Sequence, residues 1–261
     1  MTVPGAIREQ TNTVSMSRYK LTIEYNGSGF VGWQRQHNGP SVQVALENAI
    51  SKFSNEKINF VAAGRTDAGV HALGMVVHFD MEKYMSADAV QGALNYHARS
   101  DKIAVVSAEE VSPDFHARFS AKSRMYFYKI LNRRAPSAIH DGFAWHIKPK
   151  LDTAAMHEAA QLLIGKQDFA SFRSVHCQAK STIKTIEMVS VHAVRDDIVE
   201  LFIEAPSFMR NQVRIIMGCL VKVGLGDWQK EELQKVIDAR NRILAAPTAP
   251  AHGLYFYCAK Y

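Results

Sequence analysis

Between Tyr19 and Val106 the sequence runs strand, helix, strand, strand, helix, strand, and few folds accept that order. Residues 19–25 alternate apolar and polar side chains, the period of a half-buried strand. Asn26, Gly27, Ser28 and Gly29 end it in a turn. Ser41 is placed to cap a helix whose inward stripe is Val42, Leu46, Ala49, Ile50 and Phe53. Residues 58–63 and 75–80 read as two more strands. Ser86 caps a second helix with Val90, Ala93 and Leu94 inward, and residues 103–106 close the unit. The arrangement is ferredoxin-like: an antiparallel sheet with two helices on one face. Its open face is one that many RNA-binding modules use.

The rest of the chain repeats similar elements, with no legible sequence repeat. Residues 126–131 look like a strand. Asp152 caps a helix with Met156, Ala159, Ala160 and Leu163 inward, and Gly165 supplies its stop. Residues 188–194 and 198–205 form a hairpin turned by Asp196 and Asp197. Ser207 caps a helix with Met209, Val213, Ile216, Met217 and Leu220 buried, so methionine here is core filler. Arg210 and Arg214 stand four apart and project on one face near its start. A further helix near 230–244 and an apolar tail, 253–257, finish the chain. At 261 residues the chain suits two domains, or one domain of two similar halves. The division expected is a disordered leader at 1–17 (with Met16 an alternative start), then units at 18–112 and 113–261.

A reactive group needs a held loop, and residues 64–72 offer one. Asp67 lies between Gly64 and Gly69, with Arg65 before it and His71 after it. Strand-like runs flank the loop on both sides, a usual setting for function. The same pattern also suits a surface turn with a solvated Asp.

Charge points to a polyanion. Lys and Arg number 31 against 25 Asp and Glu, a net +6. Its distribution is more telling, because no acid lies between Asp114 and Asp141. Arg118, Lys122, Arg124, Lys129, Arg133 and Arg134 fall there among Phe115, Phe119, Tyr126, Phe127 and Tyr128. Such cations neutralise phosphates, and such aromatics stack on bases. A second acid-free stretch, 169–186, carries Arg173, Lys180 and Lys184. Near the start, Trp33 among Phe30, Gln34 and Arg35 reads as a packed aromatic with exposed flanks. Cys177, Cys219 and Cys258 contain no CxxC pair, which argues against a thiolate zinc site and for free thiols in a reducing compartment. No apolar run is long enough to span a membrane, and residues 1–17 lack the apolar core of a secretory signal.

Six ordered segments carry a resemblance. They are 24–36, 64–72, 114–121, 168–173, 208–218 and 253–255, and with them the chain from Tyr19 to Tyr261 resembles the tRNA pseudouridine synthase A family. The resemblance implies an α+β fold of two ferredoxin-like halves, their sheets adjoining around a central cleft. It implies a cytoplasmic homodimer that holds tRNA across both subunits and modifies uridines at positions 38–40 of the anticodon stem-loop. Asp67 matches the family's nucleophile, Tyr126 its base-stacking tyrosine and Arg214 the basic partner of the Asp. Leu254 matches the apolar residue beneath the base, and Arg65 the arginine tied to base flipping. The tRNA-contacting segments correspond to Phe115, His116, Ala117, Arg118 and Phe119, and to His176, Cys177, Gln178, Ala179 and Lys180. Two stretches depart from the family pattern. Residues 97–101 replace a usual Leu-Pro pair, and residues 209–212 lack the histidine many relatives carry.

Isomerising uridine needs no redox cofactor, and no cofactor or metal is expected. An ionised carboxylate can attack C1′ or take a ribose proton, and the sequence leaves both open. Either way the carboxylate wants a cation at contact distance, here expected to be Arg214. Two other classes fit the residues less well. One is a non-catalytic RNA-binding protein on the same scaffold. The other is a metal-dependent hydrolase using Asp67, His71 and His78, which lacks a second carboxylate.

Overall fold

The computed structural model describes residues 16–175 and 177–261. In the first half β1 (Ser17–Tyr25), α1 (Val42–Ser54), β2 (Val61–Ala62), β3 (His71–Met81), α2 (Ala87–Ala98) and β4 (Ile103–Val111) follow in the expected order. Pairing runs β4-β1-β3, with β2 on the far edge of β3, all antiparallel. The caps are as read: Ser41 accepts from Val44 N and Ser86 from Ala89 N. Val42, Leu46, Ala49 and Ile50 are buried. The strand expected over 58–63 shrinks to two residues, Val61–Ala62, so the chain joins the sheet late and leaves it one residue early.

The second half holds β5 (Ser123–Asn132), β6 (Trp145–Ile147), α3 (Thr153–Gln161), β7 (Gly165–Asp168) and β8 (Ile183–Ile186). Then come β9 (Met188–Arg195), β10 (Ile198–Ala205), α4 (Gln212–Gly224), α5 (Lys230–Ala239) and β11 (Leu254–Lys260). Its sheet order is β11-β5-β10-β9, again antiparallel. Taking β5, β9, β10 and β11 as strands one to four, both halves have the order four, one, three, two. A short β6 adds to β5, and β7 pairs with β8 in a separate two-stranded sheet. Gly165 does not stop α3, which ends at Gln161; its φ of +101° instead opens β7.

β11 joins the halves. It pairs parallel to β3 at Tyr255–His71 and Phe256–Ala72, on the edge that β2 has vacated. One nine-stranded sheet results. Leu254 and Phe256 lie two apart and share a face of β11. Leu254 belongs to the core under α3, α4 and α5, and Phe256 to the core under α1 and α2. Both helix layers therefore cover the same face, and the gap between them opens over the β3–β11 seam. Trp33 is buried beside Tyr25, as packing required. Cys177 and Cys219 are buried and all three thiols are free. Among the described residues no helix is long and apolar enough to cross a membrane.

Candidate active site

Residues 64–70 bridge from β2 to β3 over that seam. The segment after β1 pins them. Gly32 and Asp67 form an isolated antiparallel bridge. Trp33 N donates to Thr66 O at 3.1 Å, and Gly69 N to Phe30 O at 3.3 Å. A Cβ on Gly32, whose φ is +117°, would sit 2.6 Å from Thr66 O, so only glycine lets these backbones meet. The buried Tyr25 hydroxyl holds the Thr66 hydroxyl at 2.7 Å. The Asp67 side chain is left near the surface, 25% exposed.

An aromatic floor lies beneath. Register pairs Leu254 with Tyr128 and Phe256 with Tyr126, so these four side chains share the helix-covered face. Phe256 and Phe208 both meet the Tyr126 ring edge-on, at 5.3 and 5.2 Å. A Cβ at Gly64 would be 3.2 Å from Phe256 and 3.8 Å from the Tyr126 hydroxyl, which places the loop directly on this floor. Burial, with nearby Asp67 adding to it, pushes the Tyr126 hydroxyl far above the usual tyrosine range, so it stays neutral.

The cations come from the other half. Arg210 Nε lies 3.4 Å from Asp67 Oδ1, and its side chain is 54% exposed. Arg214 is held elsewhere: Nε donates to Ala249 O at 2.7 Å and Nη1 to Asn211 Oδ1 at 3.0 Å. Its own carbonyl accepts from Ala249 N at 3.1 Å. Burial lowers its pKa and Asp67 opposes that shift, so the two groups feel each other across the gap. The expectation of Arg214 at contact distance is thus corrected: the contact cation is Arg210. The cause is where α4 begins. Ser207 does not cap it; the helix starts at Gln212 after Asn211, which takes φ +61°. Arg210 therefore stands outside the helix, on a turn over Asp67, and does not share a helical face with Arg214.

The profile of the tRNA pseudouridine synthase family matches residues 21–120 and 159–261. The chain belongs to that family.

Among its relatives is a tRNA pseudouridine synthase A of Rhodospirillum centenum, 54% identical over 241 residues, 92% of this chain and 98% of that one. One of Parvibaculum lavamentivorans is 50% identical, covering 92% and 97%. One of Maricaulis maris is 47% identical, covering 94% and 98%. Membership makes the protein an isomerase.

In this pseudouridine synthase the other expected residues divide into two groups. Arg65 is exposed on the loop beside Asp67. Leu254 is buried in the floor. Arg118 and Phe119 are exposed, with the guanidinium over the ring at 5.6 Å and His116 stacked beneath it at 4.4 Å. Phe115 is half-buried against Tyr261. Ala117 is fully buried, its N donating to His78 Nδ1 and its carbonyl accepting from Tyr261, so its side chain reaches no partner. Cys177 is likewise buried and Ala179 packs on the same core, while Gln178 and Lys180 are exposed. His176 lies outside the described residues. His71 accepts from Gly27 N with Nδ1 and donates through Nε2 to Gly142 O, both at 3.0 Å. With both nitrogens engaged it packs the loop, and the hydrolase reading loses one of its ligands.

Sequence reasoning missed Phe256, Phe208 and the role of Arg210. Phe256 was within reach, since the alternation of residues 254–257 puts it on the face of Leu254. Nothing local reports that Arg210 leaves the helix.

Proposed function

We propose that the protein converts uridine to pseudouridine in the anticodon stem-loop of tRNA, at positions 38–40, with Asp67 as nucleophile. The target base leaves the stack, which costs a few kcal/mol. Stacking on Tyr126 returns roughly 1–3 kcal/mol. Arg65, exposed at the loop, fills the space the base vacates. Asp67 meets the ribose, and either attack at C1′ or removal of a ribose proton calls for the ionised carboxylate. The N1–C1′ pair departs with uracil, which turns on the floor of Tyr126, Leu254 and Phe256. C5 then supplies the pair for a new bond to C1′, loses its proton, and N1 gains one. The product is an isomer, so no co-reactant is consumed. Arg210 meets the carboxylate at 3.4 Å and Arg214 feels its charge, so two guanidiniums face the negative charge that the reaction uses. Residues 18–112 and 113–261 act as its two lobes, and the chain works as a homodimer.

One observation carries the reading: a carboxylate from one half lies 3.4 Å from a guanidinium of the other, above a half-buried tyrosine. The test is to incubate purified protein, without added metal, with unmodified anticodon stem-loops and to map the product. Pseudouridine at 38–40 is expected from the wild type. Asp67→Asn should bind the RNA and form product at least roughly a thousandfold more slowly. Substantial product from that variant would remove Asp67 from the chemistry.

A further inference from the structure

Arg124 lies in the acid-free stretch and reads, from sequence, as a cation for phosphates. Its partners say otherwise. Nε and Nη2 donate to Ala63 O at 3.1 and 3.0 Å. Nη1 donates to Ala121 O at 3.1 Å and Pro206 O at 2.8 Å, and Nη2 also to Arg118 O. An arginine has five N–H bonds, and all are spent on these four carbonyls. None is left for RNA.

The carbonyls are placed where the chain quits the sheet. β2 ends at Ala62, and Ala63 leads into the Asp67 loop. β10 ends at Ala205, and Pro206 leads to the Arg210 turn. Arg118 lies in the exposed segment that stacks on Phe119. Arg124 also shares its face of β5 with Tyr126, one pleat away. We propose that Arg124 is a positioning residue for the isomerisation: it sets the carboxylate loop against the Arg210 turn and binds no phosphate. The inference rests on the reaction proposed above.

The test uses the full chain with Arg124→Lys, Arg124→Gln and Arg124→Ala, and reads single-turnover rate and tRNA affinity over a range of salt. A lysine ammonium cannot span carbonyls on three segments, so it should substitute poorly. The rate should fall roughly 10–100-fold in each variant, because small misplacements cost that much. Affinity should stay within about twofold, with the salt slope unchanged. Millimolar guanidinium should restore rate to Arg124→Ala. Wild-type rates in the variants, or weaker binding with the slope reduced by about one unit, would overturn the assignment. If Arg124→Gln and Arg124→Ala fail to fold, Arg124→Lys decides by the same two readings. Wild-type protein that makes no pseudouridine would count against the proposed reaction instead.

Discussion

The two halves share a strand order but contribute to the site in different ways. The first offers a contiguous loop, fixed by backbone lying on backbone at Gly32–Thr66 and Gly27–Val70. The second assembles its share from three distant places: Tyr126 on β5, Arg210 and Arg214 around the start of α4, and Leu254 and Phe256 on β11. A local loop keeps its shape through near neighbours. A composite surface depends on where each element begins, and that is decided by packing elsewhere. Arg214 illustrates this: its position follows from the clamp on Ala249, far along the chain.

If that contrast is right, the half-buried Arg214 should matter more than the exposed Arg210. Arg214→Met should slow turnover on the order of a hundredfold, the usual scale for a fixed charge in a water-poor site. It should also cost about 1–3 kcal/mol of stability, since Ala249 O and Asn211 lose their donor. Arg210→Met should slow turnover only about fivefold, because an exposed pair is worth at most about 1 kcal/mol in the free enzyme. Single-turnover rates for both variants measure this, and a larger loss at Arg210 would reverse the ranking.

The local half should break by a backbone change alone. Gly32→Ala puts a Cβ 2.6 Å from Thr66 O at a φ of +117°. Strain of about 1–3 kcal/mol is expected, relieved by moving the Asp67 loop. Turnover should drop roughly tenfold while RNA affinity holds. A variant as active as wild type would mean the loop is shaped by something other than this contact.

The same contrast explains what the sequence disclosed. Alternation and caps located β1, α1, β3 and α2, because each is set by its own residues and by Ser41 or Ser86. Asp67 stood out because glycines and flanking strands framed it within nine residues. The pairing of β11 with β3 was not legible, since two residues of parallel register leave no periodic mark. Nor was the site's face. Many RNA-binding modules use the open face of such a sheet, whereas here the Asp67 loop rests on the helix-covered face, because Gly64 packs on Phe256. The start of α4 was misplaced to Ser207: a polar residue before an apolar run looks like a cap, while Asn211 in a left-handed conformation gives no such signal.

The segment at 115–119 belongs to neither style, because it is an exposed tip on a clamped base. Arg18 donates to Phe115 O at 2.9 Å and Tyr261 to Ala117 O at 2.7 Å, while Arg118 and Phe119 stay outside. Arg118→Ala should weaken RNA binding several-fold at low salt and lower the log–log salt slope by about one unit. Its single-turnover rate at saturating RNA should match wild type. An unchanged slope would take Arg118 out of contact with the phosphates.

The smallest effect expected concerns that clamp. His78 is buried, accepts Ala117 N on Nδ1 at 3.1 Å, and faces the His116 ring at 4.8 Å. Burial, then Arg18 and His116, push its pKa down from 6.5 to about 4, with Asp80 opposing. The unfolded chain therefore binds this proton more readily than the folded one. His78's contribution is complete above about pH 6.5 and is lost as pH falls toward 4. An asparagine side chain would offer Ala117 an acceptor that never titrates, so His78→Asn should flatten the fall in urea midpoint across that window. Carboxylates other than Asp80, which interacts with His78, titrate equally in both proteins, so the difference between the two curves reports the imidazole together with its coupling to Asp80. Parallel curves would show that the exposed tip is held without it, and the base of the 115–119 segment would then rest on Arg18 and Tyr261 alone.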